Sequence, residues 1–458
     1  MKQYANLIFL CCCMLSCKNE NDVLITPETR QLNVKTEKRS LSKQDALNVA
    51  ELFYTQKFGK EAPLKLSRAM NDVEFIKGEN NTLLAYVINY DEGGWAIVSA
   101  TKDYYPILAY SDTLKFQLDY SEANLGLDIW IEEMSQAIKS SHELDSQASA
   151  QIALEWQKYT PETLSTQSAG IPTGNSPEAI MCRNRLKELN EIYSNDGWSF
   201  RTLSSIQNIS IPQHIYDTAD QYSSPYEYTI VGLKDVSIYH NIGPLITTTW
   251  GQDGEYNNLC PDDKLAGCVP IAMAQIMNFH QYPSTFDWAN MQDNYATYAS
   301  QYLIANIGST IGVDYGYEST SSNISDAKDG FEEYGYNVIK KEHINSEAAF
   351  EIANYQRPIY MRGREGLLQL TGHAWVCDGL NQNISEYDLY AEYVNNGNYD
   401  NLGLSLIDNP DGFGGTSYTY FHMNWGWYGQ HNGWFIDATP ESGTSYNYDR
   451  ENLYISVN

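Results

Sequence analysis

The chain has 458 residues, a length that fits two or three domains. Apolar residues make up 42% and charged residues 19%, so it can bury a sizeable core and is not a long disordered polymer. A formal net charge of −29 is repelled by phosphate backbones and argues against a nucleic-acid partner; the acidity itself reads as solubility.

Residues 1–17 read as a targeting segment. Met1-Lys2 precedes the apolar run Asn6-Leu-Ile-Phe-Leu-Cys-Cys-Cys-Met-Leu15, too short to span a bilayer as a mature helix. It ends at Leu15-Ser16-Cys17, after which Lys18-Asn-Glu-Asn-Asp22 turns sharply polar. The pattern resembles a bacterial lipoprotein signal peptide, which implies that Cys17 becomes the lipidated first residue. Its acyl chains would tether the chain to a membrane, each buried methylene contributing about 0.8 kcal/mol. An ordinary secretory signal is the other reading. In both the chain is exported, and if anchored it sits in the outer membrane or at the cell surface until processing releases it. Residues 18–38 read as a polar tether. Beyond the signal, Cys182, Cys260, Cys268 and Cys377 are too sparse for a disulfide framework, and no CxxC pair supports a zinc site.

Ser42 with Asp45 three residues on predicts a helix start. Ala46, Val49, Ala50 and Phe53 follow at helical spacing, and Gly59 supplies the stop. Leu84–Tyr90 and Trp95–Ser99 flank Asp91-Glu-Gly-Gly94 and read as a hairpin, continued by Tyr105–Tyr110. Leu127, Trp130, Ile131, Met134 and Ile138 predict a second amphipathic helix. Residues 39–140 therefore read as a small α+β unit. Residues 141–235 read as a connector with some structure: a helix near 148–158, punctuation at 165–176, and a short helical stretch carrying Arg183, Arg185 and Lys187.

From Ile242 onward Gly, Trp, Tyr and His become frequent. Gly267-Cys-Val-Pro-Ile-Ala-Met-Ala-Gln-Ile-Met-Asn-Phe-His280 predicts a helix apolar nearly all round, hence buried, with Cys268 at its start. Pro270 suits the first turn, and Gly267 permits close approach. A Cys at a helix N-terminus feels the positive end of the dipole, which favours the thiolate. A buried inert Cys is the plain alternative. A nucleophile needs a base. Gly372-His-Ala-Trp-Val-Cys-Asp-Gly379 reads as a strand with His373 and Trp375 on one face, Ala374 and Val376 on the other. His280, at the end of the Cys268 helix, reads as a cationic cap; His422 and His431 read as loop or core histidines. Asn424, beside Trp425 and Trp427, can accept the imidazole N–H and fix its tautomer while an indole excludes water. Gln252 can donate to a developing oxyanion alongside the Cys268 N–H.

Four motifs in chain order carry a resemblance to the streptopain family of papain-like cysteine peptidases. They are Trp250-Gly-Gln-Asp-Gly-Glu-Tyr-Asn257; Gly267-Cys-Val with Ala272-Met-Ala-Gln-Ile-Met277 and Tyr282-Pro283; Gly372–Gly379; and His422-Met-Asn-Trp-Gly-Trp427. The resemblance implies an α+β papain-like peptidase domain over 236–458, in which a buried helix carrying the Cys packs on an antiparallel sheet. Cys268 then matches the nucleophile, His373 the base, Gln252 the oxyanion donor, and Asn424 with Trp425 the residues that orient and shield the His. Pro270 and Ile271 depart from the family's more common Ala-Thr. Leu84–Tyr110 looks like the family's pro-region, which implies a domain that blocks the cleft until proteolysis removes it. Lys234, Arg201 and Arg183–Lys187 are candidate cleavage sites by charge and position. The expected protein is a secreted cysteine endopeptidase made latent, acting on proteins or peptides with a hydrophobic side chain two residues before the cut, and needing no metal or organic cofactor. Another Cys-His acyl transferase, a cell-wall amidase and a silent surface-binding lipoprotein are the alternatives.

Overall fold

The computed structural model describes residues 39–59, 73–118, 125–144, 146–159, 171–206, 211–317, 322–364, 372–384, 386–395, 398–399, 418–437 and 450–457. The signal, Cys17 and the tether lie outside the described residues.

Helix α1 (Lys43–Phe58) starts as its sequence dictates. Ser42 and Asp45 form a reciprocal capping box, and Gly59 closes the helix at φ 64°. Strands β1 (Glu74–Lys77), β2 (Leu83–Asn89), β3 (Trp95–Ser99) and β4 (Ile107–Ser111) follow as an antiparallel meander, and β2 and β3 form the predicted hairpin. Helices α2 (Leu125–Ser140) and α3 (Ser146–Gln157) complete this part. Trp156 of α3 donates its indole N–H to the Tyr104 carbonyl at 2.7 Å, and Ile152 and Trp156 join the core that holds α1 and β2–β4. The stretch expected as a connector from 141 thus begins as part of the first α+β unit.

Its remainder forms α4 (Pro177–Tyr193), β5 (Trp198–Thr202), α5 (Gln213–Gln221) and β6 (Ile230–Asp235). Next come β7 (Ile238–Ile242), α6 (Cys268–His280), α7 (Tyr298–Thr310), α8 (Ile324–Glu333), β8 (Asn337–Glu342), α9 (Asn345–Tyr355), β9 (Ile359–Arg364) and the long β10 (Gly372–Ile384). Strand β11 (Tyr387–Glu392) turns back to pair with β6. The two-residue strands β12 (Val394–Asn395) and β13 (Asn398–Tyr399) pair with each other, and β14 (Tyr418–Asn424), β15 (Gly433–Ile436) and β16 (Glu451–Ser456) end the order.

One antiparallel sheet organises most of the chain. Its order is β1-β2-β3-β4-β15-β14-β10-β9-β16-β8, with β7 alongside the second half of β10. The sheet therefore runs without a break from the first α+β unit into the second. The junction is two rungs wide, Trp434↔Tyr110 and Phe435↔Ala109. Helix α6 packs on one face of β10, in a core shared with α7, α8, β9 and β16. The opposite face carries Trp375, Cys377 and Met361, covered by α2 and α9. The fold is thus α+β with antiparallel sheets, with the Cys268 helix laid on the sheet as expected.

Candidate active site

Cys268 opens α6. Its N-cap, Gly267, sits at φ 89° and ψ 152°, backbone that a side chain disfavours, and Pro270 lies in the first turn. Val269 to Met277 are all buried, so the helix cannot shift without disturbing the core. Cys268 itself is partly exposed. The helix dipole predicts a favoured thiolate, but the structure gives the reverse direction. Desolvation by the packed surroundings pushes the thiol up. The N–H groups of Ala374, Val269 and Cys268 and the charge of Arg362 oppose that push without cancelling it.

Ala374 follows His373 on β10. Strand alternation places Ala374 and Val376 in the core of α6, while His373 lies over Trp375 on the other face, rings 6.3 Å apart and 14° from parallel. The His373 Nε2–H donates to the Trp425 carbonyl at 3.2 Å, so the neutral ring keeps its lone pair on Nδ1. Burial pushes its pKa down to about 4 in spite of that bond. In this state the thiol and the imidazole are not hydrogen-bonded to each other, and both are held neutral.

The first α+β unit presses on this histidine. A methyl group added at Gly126 of α2 would lie 2.6 Å from His373 Cδ2 and 2.6 Å from Trp425 Cε3. Nearby, His431 donates from Nε2 to the Gln117 carbonyl at 2.6 Å, and its ring meets Phe116 edge-on at 4.6 Å. Arg450 donates to Glu133 of α2 at 3.0 Å, both side chains being buried, and lies over the Trp375 ring at 5.4 Å. Burial pushes Glu133 up to about 7; the Arg450 charge opposes this and Asp437 adds to it.

Asn424 takes a different partner from the predicted one. Its Nδ2 donates to the Thr248 carbonyl at 2.8 Å, and its Oδ1 accepts from Gly426 N–H at 3.2 Å and from Gln275 Nε2 at 3.4 Å. Thr248 closes the circuit by donating to Gln275 Oε1 at 3.0 Å. The backbone oxygen of Trp425, one residue on, holds the imidazole instead. Trp425 is fixed by its own donors to His431 O and Asn432 Oδ1, both at 3.0 Å, and its ring meets Trp375 at 5.3 Å.

Gln252 is buried and its Nε2 has no partner among the described residues. Its carbonyl accepts from Ala266 N–H at 2.8 Å, which ties it beside the entry to α6. The Tyr428 ring packs against Gly251 so closely that a methyl there would lie 2.4 Å from Cζ, and Tyr428 bonds Asp253 at 2.5 Å. An orphaned buried amide is costly to keep, and an oxyanion would satisfy it.

Two expectations about histidines need correction or detail. His280 is not a charged cap: burial and then Arg357 push its pKa down to about 4, and Gln281 in the left-handed region ends the helix. His422 is a core histidine, bonded through Nδ1 to Asp378 Oδ1 at 2.6 Å. Sequence reasoning missed Gln275, whose signal was a single amide in an otherwise apolar helix. It also missed Thr248 and the Glu133–Arg450 pair, for which local sequence holds no signal.

A family model described as the Peptidase C10 family matches residues 250–285 and 283–435, and one described as Spi protease inhibitor matches 38–138. Streptopain of Streptococcus pyogenes is 24% identical over 224 residues, covering 38% of this chain and 46% of streptopain. The chain thus matches about half the length of these curated relatives. A prointerpain A fragment of Prevotella intermedia aligns with 17% identity over 84% of this chain and 98% of its own, at a TM-score of 0.44. Active interpain A of that organism aligns with 22% identity over 46% of this chain and 94% of its own, at a TM-score of 0.33. The Peptidase C10 match spans both the helix-borne Cys268 and the strand that carries His373. The second α+β unit is thus similar to streptopain, and the first matches the protease-inhibitor model.

Proposed function

We propose that this chain is an exported cysteine endopeptidase held latent by residues 39–159. The observation that carries the reading is the placement of Cys268 at the head of α6, against the Ala374 N–H and one residue from His373, with the unpartnered Gln252 amide beside the helix entry. In the active state His373 Nδ1 takes the Cys268 proton and the sulfur attacks the scissile carbonyl. Gln252 Nε2 and the Cys268 N–H receive the oxyanion. The imidazolium then gives its proton to the leaving amine, and water hydrolyses the acyl-enzyme. Asn424 and Trp425 orient and cover the imidazole, and no metal or organic cofactor takes part.

Latency follows from the packing of α2. With Gly126 against His373 and Trp425, the ring lies on the Trp375 face and the thiol on the other, so the Cys268–His373 ion pair is not assembled. Loss of the pro-region frees the ring to turn toward the thiol. Substrates are proteins or peptides, with a hydrophobic side chain preferred two residues before the cut. Lipidation at Cys17 anchors the precursor at the outer membrane or cell surface.

The test compares wild type with Cys268→Ala and His373→Ala on denatured casein, before and after removal of the pro-region. Both variants are expected to lose hydrolysis, on the order of 10³-fold or more. Casein cleavage that survives Cys268→Ala sinks the reading. Loss of acyl-chain labelling in Cys17→Ser tests the anchor separately.

A further inference from the structure

The described residues from Pro177 to Asp235 build a unit of their own, completed by chain from far downstream. Strand β6 is central, with β5 on one side and β11 on the other. Alternate residues of β6 serve two small cores. Ile230 packs with Phe200, Tyr390, Cys182 and Leu186 under α4. Val231 and Leu233 pack with Ile215, Leu389, Ala391 and Leu203 under α5. In sequence, β11 falls between β10, which carries His373, and β14, which carries Asn424, while in space those two strands pair directly and β11 pairs with β6.

Polar contacts fasten the same junction. Arg185 of α4 holds Glu392 of β11 with a forked pair at 2.9 and 2.5 Å, and Glu392 is 1% exposed. Val394 N–H donates to Ser224 Oγ at 3.0 Å, and Tyr399 donates its hydroxyl to the Tyr228 carbonyl at 2.5 Å. Val236 N–H reaches the Glu386 carbonyl at 3.0 Å, after which β7 joins β10 in the main sheet. The described residues of 171–242 are therefore pinned to the peptidase region at both sheets. By contrast α3, through Ile152 and Trp156, belongs to the core of the pro-region.

The basic residues that drew attention as cleavage sites lie inside this unit. Arg183, Arg185 and Lys187 are in α4, Arg201 is in β5 and Lys234 in the central β6. A peptidase needs its substrate extended and free of other backbone pairing, which none of these positions offers.

We propose that Pro177–Asp235 with residues 386–399 form an accessory subdomain of the mature peptidase, and that maturation cuts the chain N-terminal to Pro177. The cut is hydrolysis of one peptide bond: water gives its hydroxyl to the new carboxyl end and its remaining proton to the new amino end. The inference rests on the reading above that the pro-region is removed by proteolysis.

The test lets the full chain process, labels Cys268 with iodoacetamide, denatures the product, and determines the intact mass and N-terminal sequence of the labelled fragment. The expected fragment is one continuous chain that starts upstream of Pro177 and contains both α4 and Cys268. A labelled fragment that starts beyond Asp235, from a preparation that was active before labelling, overturns the inference and leaves the zymogen reading standing. Full activity of an uncut chain overturns the zymogen reading, and this inference with it. As a second measurement, added trypsin is expected to remove the pro-region from Cys268→Ala protein while leaving Arg201 and Lys234 uncut. Cleavage at those residues as early as pro-region loss counts against the subdomain.

Discussion

At Gly126 an added methyl would lie 2.6 Å from both His373 Cδ2 and Trp425 Cε3, closer than carbon atoms approach without something moving. Alanine is the better helix former, by about 1 kcal/mol over glycine. Overpacking a tight contact costs about 1–3 kcal/mol, so the clash outweighs the propensity gain. Gly126→Ala is therefore expected to loosen α2 from His373 and, on the proposed function, to shorten the lag before casein hydrolysis begins. An unchanged or longer lag contradicts this. Gln275 acts at one remove. Completely buried, it holds Asn424 Oδ1 and accepts from Thr248, so it sets the orientation of the amide that the proposed mechanism assigns to the imidazole. Gln275→Leu leaves Asn424 Oδ1 with one donor fewer. The expected result for processed enzyme is a fall in kcat of about tenfold, about 1.4 kcal/mol, with KM nearly unchanged. A matched rise in KM with kcat intact would place Gln275 in substrate binding instead.

Between elements, α2 meets the start of β16 through the Glu133–Arg450 pair, whose members are 317 residues apart in sequence. Glu133 is the group with pH consequences. Docked, burial raises it to about 7, while Arg450 opposes that and Asp437 reinforces it; undocked it returns to the ordinary carboxyl range. His343, beside Arg450, is held neutral by burial, its pKa pushed down to about 3. A carboxyl raised by docking binds more protons in the docked state. Its contribution to docking is fully present below the ordinary carboxyl pKa and is lost as pH rises through about 7. Dissociation of a cut pro-region from Cys268→Ala protein should accordingly speed up from pH 6 to pH 8, and Glu133→Gln should flatten that dependence. Faster dissociation toward acid would reverse the sign. The same scale shows what sequence can reveal. The capping box of α1, the β2–β3 hairpin, the buried α6 and the two faces of β10 were legible, because each depends on residues within a few positions. The accessory sheet was not, since its third strand comes from the other side of β10. Nor was the partner of Asn424, because a short amide can turn to either of two neighbours and only packing decides. The dipole argument for Cys268 named a real field, but desolvation, which sequence does not display, set the direction.

For the whole molecule, the shared sheet makes the proposed latency a matter of stability as well as access. When the pro-region leaves, the eleven-stranded sheet loses β1–β4, and β15 becomes an edge with unpaired backbone groups. The face that held α2 is left with Trp375, Trp425, Phe435 and Ile436, which are buried against Leu127, Ile129, Trp130 and Met134 in the precursor. An element that binds only the folded peptidase stabilises it by linkage, so its loss lowers the melting temperature. For a unit of this size, about 2 kcal/mol of docking energy corresponds to a shift on the order of 5 °C. Cys268→Ala protein, cut by added active enzyme and freed of its pro-region, should therefore melt at least that far below the uncut chain. It should also bind more of an apolar dye, since the exposed ring patch has no new cover. Equal melting temperatures would mean that the two α+β units are stable independently and that the two-rung junction between β4 and β15 contributes little. A higher melting temperature after cutting would mean that the contact at Gly126 strains the peptidase in the precursor, and that release of the pro-region relaxes it.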